Sequence, residues 1–123
     1  MSSEFESAYA AYVDEKLARV AVINLVEYNY TGTIATRPSV TYNISLPTTY
    51  SGQSVGVQRL MANGSNAITG VTWDGYSYNW ELSKGRPVLL KNVTKGETVK
   101  VGNGGKVQVV VPYSSMAMLN LPD

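Results

Sequence analysis

Residues 17–28 read LARVAVINLVEY, a run that is rich in β-branched residues and apolar on both faces. A run of this kind is typical of a central strand in a stacked pair of sheets, because both sides of such a strand are covered. Shorter runs that alternate between apolar and polar residues lie at 42–46, 55–61, 98–101, 106–111 and 115–121. We also expect a short strand at 9–13. The period of two indicates extended chain rather than helix.

Turn-forming residues separate these runs at intervals of about ten residues. Asn103-Gly104-Gly105, between Val101 and Val107, predicts a hairpin, since Asn and Gly accept the positive φ of hairpin turns. The sequence therefore predicts an all-β fold, an antiparallel β-sandwich of about eight to nine strands. A length of 123 residues corresponds to one domain. We assign residues 8–123 to this sandwich and residues 1–7 to an artificial start or a flexible leader.

The composition excludes several classes of function. The chain has no Cys and no His, which removes thiol nucleophiles, zinc–thiolate sites, Ser-His-Asp triads and the usual transition-metal ligand. The formal net charge is +1 and the basic residues are scattered, so we expect no nucleic-acid partner. No apolar run approaches the roughly 18 residues that a membrane span needs. We therefore predict no cofactor, no metal and no membrane partner.

Carboxylates alone can still support hydrolysis of glycosides. That chemistry needs two carboxylates about 5–9 Å apart, and the candidates are Asp74 and Glu81, which lie in or beside an aromatic segment. However, Asp74-Gly75 is a common turn dipeptide, and most acidic residues of a β domain are solvated or form turns. We therefore assign no catalytic residue.

The connection 62–80 is longer than ordinary loops and carries both tryptophans of the chain. If its last part is extended, Tyr76, Tyr78 and Trp80 point to one side as a row. Such a row packs in the core or against another domain, or it stacks on the C–H faces of sugar rings. We expect Trp73 to insert into the core and the row to face a protein partner or a glycan. The candidate contact residues of the segment are Trp73, Tyr76, Tyr78 and Trp80.

Asparagines in glycosylation sequons are more frequent than chance placement gives. The four Asn-X-Ser/Thr sequons begin at Asn29, Asn43, Asn63 and Asn92. They favour a secreted, extracellular glycoprotein of a eukaryote. The polar start of the chain does not resemble a signal peptide, so we expect a leader to have been lost. Asn29 and Asn63 lie at turn-like positions and are expected to be accessible, whereas Asn43 lies in a strand and is expected to be modified poorly.

Six motifs, in order along nearly the whole chain, resemble a known accessory domain. They are YAAYV at 9–13, LARVAVINL at 17–25, RPSV at 37–40, VQRL at 57–60, ITGVTW at 68–73 and SSMAML at 114–119. Together they resemble the C-terminal β-domain of glycoside hydrolase family 79, the β-glucuronidase and heparanase-like enzymes, in a fungal version. The resemblance covers residues 8–121.

The resemblance implies a (β/α)8 barrel with two catalytic glutamates, which a chain of this length does not hold. It also implies that the first strand of the domain comes from sequence ahead of the barrel, leaving an unfilled sheet edge here. The expected function is that of a non-catalytic accessory sandwich, which packs on the catalytic barrel of a secreted glucuronidase and stabilises it. The alternative is a free-standing carbohydrate-binding or surface-interaction module that uses Tyr76/Tyr78/Trp80.

Overall fold

A computed structural model describes residues 4–32, 36–91 and 93–122 of the chain. The strands are β1 (Glu6–Val13), β2 (Lys16–Asn24), β3 (Ser39–Ser45), β4 (Ser54–Met61), β5 (Thr72–Trp73), β6 (Tyr76–Ser77), β7 (Val88–Leu89), β8 (Glu97–Lys100), β9 (Lys106–Pro112) and β10 (Ser115–Asn120). One short helix, α1, covers Trp80–Ser83, and 3-10 turns cover Thr48–Tyr50 and Asn103–Gly105.

The strands form two antiparallel sheets. The large sheet has eight strands in the order β1-β2-β10-β4-β5-β6-β7, with β8 also paired to β4, and the small sheet consists of β3 and β9. β5 pairs with the end of β4, at Leu60 and Met61, while β8 pairs with its start. The predicted all-β sandwich is confirmed. Its ten strands exceed the predicted eight to nine because β5, β6 and β7 have two residues each, too few to show an alternation.

The core lies between the two sheets. Successive side chains of a strand point to opposite faces, so alternate residues of each strand meet there. The buried cluster consists of Val20, Val22, Tyr42, Leu46, Val55, Val57, Val101, Val107, Val109, Val111, Ala117 and Leu119. The small sheet supplies Tyr42 and the alternating valines of β9, and the large sheet supplies residues of β2, β4 and β10. The valines of the predicted alternation at 107–111 therefore form the inner face of β9.

The run 17–28 forms a central strand, as predicted, but the strand ends at Asn24. The Asn24 side chain is fully buried. Its Nδ2 donates to the carbonyl of Val111 at 3.2 Å, and its Oδ1 accepts the Val26 N–H at 3.1 Å. The Asn24 side-chain amide thus satisfies two backbone groups where the chain turns away from the sheet. On the opposite face, Ala21 and Ile23 are only half-buried.

The predicted hairpin at Asn103-Gly104-Gly105 is wrong. The strand before this segment, β8, pairs with β4 in the large sheet, and the strand after it, β9, pairs with β3 in the small sheet. The glycines build a 3-10 turn that crosses between the sheets, with φ of 74° at Gly104 and 80° at Gly105. Gly105 accepts the Leu46 N–H at 2.8 Å, and its own N–H donates to Ser51 Oγ at 3.1 Å. Positive φ is common to hairpins and crossovers, so the sequence alone does not separate them.

β1 is the exposed edge of the large sheet. It begins at Glu6, inside the predicted leader 1–7, and includes the predicted strand 9–13. The Tyr42 hydroxyl donates to the Glu6 carboxylate and links the two sheets. Burial, with this hydrogen bond, raises the pKa of Tyr42 above its usual value. Residues 8–13 are exposed, and among the described residues none from β1 belongs to the buried core cluster.

Candidate functional site

The predicted aromatic segment contains a short hairpin. Asp74 and Gly75 form its turn, with φ of 49° and 83°, between β5 and β6. The predicted turn at Asp74-Gly75 is confirmed. Asp74 Oδ1 accepts the Gly96 N–H at 3.1 Å, so this carboxylate stabilises a neighbouring loop. Glu81 lies exposed in α1 beyond the hairpin.

Trp73 does not insert into the core. The neighbouring Thr72 is buried, and the alternation along β5 therefore directs Trp73 to the opposite face, where it is half-buried and paired with Tyr76. The expected core position of Trp73 is wrong, because a two-residue strand has one inner position and Thr72 occupies it. Tyr76 is also half-buried, with Lys95 Nζ 4.9 Å from its ring centroid.

The expected extended row Tyr76/Tyr78/Trp80 is not formed. β6 ends at Ser77, whose Oγ accepts the Asn79 N–H at 3.2 Å, and Trp80 is already the first residue of α1. Tyr78 and Trp80 are both exposed. The three rings therefore belong to three different local structures, a strand, a connection and a helix. A single flat platform made of all three is absent.

A different row of side chains crosses the outer face of the large sheet, which points away from the small sheet. Strand register sets its members side by side on neighbouring strands: Ser7, Ile23, Met116, Leu60, Trp73, Tyr76 and Leu89. All but Ser7 are apolar or aromatic. With roughly 4.8 Å between strands, seven strands span about 29 Å. The row thus extends across the width of the sheet on the face that the core does not use.

An apolar patch is built on this row, consisting of Ile23, Leu25, Leu60, Ile68, Val71, Trp73, Tyr78 and Met116. It contains two shallow depressions that meet at Leu60 and Val71. Among the described residues, no charged side chain lines either depression. Leu25, Leu60, Ile68 and Val71 are exposed to solvent. Contiguous exposed apolar surface of this kind marks a contact site in soluble proteins.

The loops beside the patch are fixed by Arg37. Its Nη1 donates to the carbonyl of Ala62 at 2.7 Å, its Nε to that of Tyr113 at 2.8 Å and its Nη2 to that of Ser114 at 3.1 Å. The guanidinium carbon also lies 5.4 Å from the Tyr28 ring centroid. Burial lowers the pKa of Arg37. This clamp holds the start of the connection 62–80 against the β9–β10 turn.

Sequence reasoning missed Arg37 and most of the patch. One signal for the patch was present in the last strand, where Met116 and Met118 alternate with the buried Ala117 and Leu119. A strand that is apolar on both faces needs a cover on both faces. Arg37 had no such signal, because its three acceptors are backbone carbonyls that only the fold assembles.

The sequons occupy the surface where they are described. Asn29 is exposed, and its Oδ1 accepts hydrogen bonds from the Thr31 N–H at 3.0 Å, Thr31 Oγ1 at 2.7 Å and Asn66 Nδ2 at 2.8 Å. Asn63 is exposed in a loop. Asn43 lies in the middle of β3, as predicted, and is exposed there; its poor modification stays a prediction. Asn92 lies outside the described residues.

Among the described residues, no helix is both long and apolar enough to cross a membrane. Within the same residues, no group of three or more acidic side chains could hold a metal ion.

Comparison with known proteins gives consistent matches. The family model for the glycosyl hydrolase family 79 C-terminal beta domain matches residues 8–118. A beta-glucuronidase of Aspergillus niger is 58% identical over 130 residues, which are 98% of this chain and 24% of that protein. A beta-glucuronidase of Neurospora crassa is 44% identical over 144 residues, 96% of this chain and 26% of that protein.

A solved structure supports the same comparison. The crystal structure of a 4-O-alpha-L-rhamnosyl-beta-D-glucuronidase from Fusarium oxysporum, in complex with Rha-GlcA, superposes with a TM-score of 0.74 at 26% identity. The match covers 94% of this chain and 23% of that one. The chain therefore spans about a quarter of the length of the proteins that it matches.

Proposed function

Since the chain belongs to the glycosyl hydrolase family 79 C-terminal beta domain family, we propose that it is a non-catalytic accessory domain of a secreted β-glucuronidase-type hydrolase. Its task is to pack on the catalytic (β/α)8 barrel of that enzyme and to stabilise it. The observation that carries this proposal is the apolar patch on the outer face of the large sheet. A sandwich that worked alone would have one packed core and no second apolar face of this extent.

The patch has the properties of an interface between domains. Interfaces within one chain bury about 600–1,500 Å², and a row about 29 Å long is wide enough to contribute to one. The depressions at Leu60 and Val71 lack charged side chains, so covering them leaves no unpaired charge. Burial of each large apolar side chain contributes about 1.5–3 kcal/mol. Several such side chains together stabilise both domains.

An interface on the outer face also explains why Trp73 and Tyr76, which are paired there, lie outside the core. Trp73 and Tyr76 are half-buried within the sheet, and their remaining surface is available to a partner. Aromatic residues are enriched at interfaces because they bury a large area with few rotatable bonds. We assign Trp73, Tyr76 and Tyr78 to contact with the catalytic domain.

The alternative function, a free-standing carbohydrate-binding module, depended on Tyr76, Tyr78 and Trp80 forming one platform. The geometry does not support it in that form, because β6 ends before Tyr78 and Trp80 begins α1. The apolar character of the patch also favours a protein surface over a sugar, whose hydroxyl groups need hydrogen-bond partners.

Secretion and glycosylation are part of the same proposal. Asn29, Asn43 and Asn63 are exposed. At Asn29 the amide oxygen takes the internal hydrogen bonds, whereas an N-glycan is attached to the amide nitrogen. A glycan at this position is therefore compatible with the local structure.

The test compares the full-length parent enzyme with a version that lacks this domain, both secreted from a eukaryotic host. We expect the truncated enzyme to be secreted in lower amount and to unfold at lower temperature, because the matching surface of the barrel is then exposed. Equal yield and equal thermal stability of the two forms would contradict a stabilising role.

A further inference from the structure

The loop between β6 and β7, residues 78–87, projects from the edge of the large sheet. Trp80, at its start, has 68% of its surface exposed. Each residue of this loop is exposed or half-buried. Tryptophan is enriched at contact sites, because its ring buries a large area with few rotatable bonds.

The loop has a defined conformation. Leu82 N–H donates to the Asn79 carbonyl at 3.1 Å, Lys84 N–H to the Trp80 carbonyl at 2.8 Å, and Arg86 N–H to the Ser83 carbonyl at 3.0 Å. Asn79 Nδ2 further donates to Thr69 Oγ1 at 2.8 Å, which ties the loop to the neighbouring connection. These bonds fix the backbone around Trp80 before any ligand binds.

Two cations share a depression with the Trp80 ring. Lys84 directly follows α1, in the left-handed conformation with φ of 54°. Together with Arg86, Trp80 and Lys84 line one shallow depression, which also contains Glu81. Among the described residues the only ion pair is that of Arg59 with Glu97, so neither cation of the loop is neutralised by a salt bridge. The charge of this loop, from Lys84, Arg86 and Glu81, is +1.

From this arrangement we infer that the β6–β7 loop binds an acidic sugar, a glycan unit that carries a carboxylate. The apolar C–H face of the sugar ring stacks on the Trp80 indole. The carboxylate accepts charge-assisted hydrogen bonds from Lys84 and Arg86, which are stronger than neutral ones. A neutral sugar would use the stacking alone. This site goes beyond the proposed function, because it needs neither the catalytic domain nor the apolar patch.

The chemistry favours an acidic sugar over a protein segment. The depression around Trp80 is lined by four polar or charged residues and one aliphatic one, unlike the patch, whose depressions lack charge. A polar lining suits a ligand with many hydroxyl groups, each of which needs a partner when it leaves water.

The test titrates the 123-residue chain with hexagalacturonate and with maltohexaose, the neutral comparison, at low and at moderate salt. Amide chemical shifts and tryptophan fluorescence report where and how tightly each binds. We expect hexagalacturonate to bind about tenfold more tightly than maltohexaose at low salt, with shifts confined to residues 78–87. Added salt should reduce this difference, because it screens the cations.

Three variants assign the interaction to side chains. Trp80→Ala should weaken both ligands, and Lys84→Ala with Arg86→Ala should weaken hexagalacturonate about tenfold while leaving maltohexaose unchanged. Lys100→Ala with Lys106→Ala removes the same charge from exposed positions elsewhere and should have no effect. Equal affinity for the two ligands, unaltered binding by the Lys84/Arg86 variant, or shifts outside the loop would each overturn the inference. Loss of docking to the catalytic domain would leave these results unchanged.

Discussion

Replacing Ile68 and Val71 by Ser should weaken docking to the catalytic domain without weakening the fold of this one. Ile68 is 96% exposed and Val71 48% exposed in the isolated chain, so little packing is lost within it. Full burial of such side chains contributes about 2 kcal/mol each. Scaled by exposure, docking loses about 2 kcal/mol at Ile68 and about 1 kcal/mol at Val71. The sum, about 3 kcal/mol, corresponds to a loss of affinity of roughly 150-fold.

The assay measures binding of the 123-residue chain to a separately produced catalytic domain by calorimetry. Val110→Ser is a matched control for Val71→Ser, because Val110 is 46% exposed and lies on the small sheet, on the opposite side of the sandwich. We expect the control to bind as the natural chain does. If the double variant binds with unchanged affinity, or if Val110→Ser weakens binding equally, the assignment of the patch as the docking face is refuted.

Further predictions concern the fold and the surface. Gly105→Ala should destabilise the chain by about 3 kcal/mol, since the added Cβ would collide with a backbone carbonyl. Gly104→Ala, which has open space at a similar φ, should cost only about 1 kcal/mol. Urea denaturation measures the free energy of unfolding of both variants. Arg37→Met should cost about 3 kcal/mol in the same assay, because the half-buried carbonyls of Ala62, Tyr113 and Ser114 lose their donor. Burial raises the pKa of Tyr42, so the folded state keeps the hydroxyl proton when the unfolded state loses it near pH 10. The free energy of unfolding should therefore fall as the pH rises above about 10. Tyr42→Phe should reduce that fall. Asn29→Gln should lower the intact mass of chain secreted from a eukaryotic host by one glycan, and an unchanged mass would remove Asn29 from the glycosylated positions.

The fold class followed from local patterns. A period of two needs only the geometry of one extended strand, so the alternations at β3, β4, β9 and β10 are visible before any tertiary contact is known. The same holds for the turn at Asp74-Gly75, where two neighbouring residues carry the whole signal. The family resemblance followed from the order of short motifs along the chain and is confirmed by the family match over residues 8–118.

The wrong predictions share a cause, because local sequence does not show which distant strand a segment pairs with. Gly104 and Gly105 adopt positive φ, but the sheets on either side of them are set by the pairing of β8 with β4 and of β9 with β3. Trp73 was expected in the core for its size, yet the strand pairing with Leu60 gives the inner position to Thr72. The size of an aromatic side chain predicts that its ring is covered, and strand register determines which residues cover it.

The sequence by itself determined that this chain is an all-β sandwich without His or Cys chemistry, because composition and two-residue periodicity are properties of the chain alone. Only the tertiary structure decided which apolar residues form the core and which form the patch. Ile23, Leu60 and Met116 come from three strands far apart in sequence, and they become one surface through strand register. Register depends on hydrogen bonds between strands and on burial of one face at the expense of the other, and both are settled only when the sheets pack.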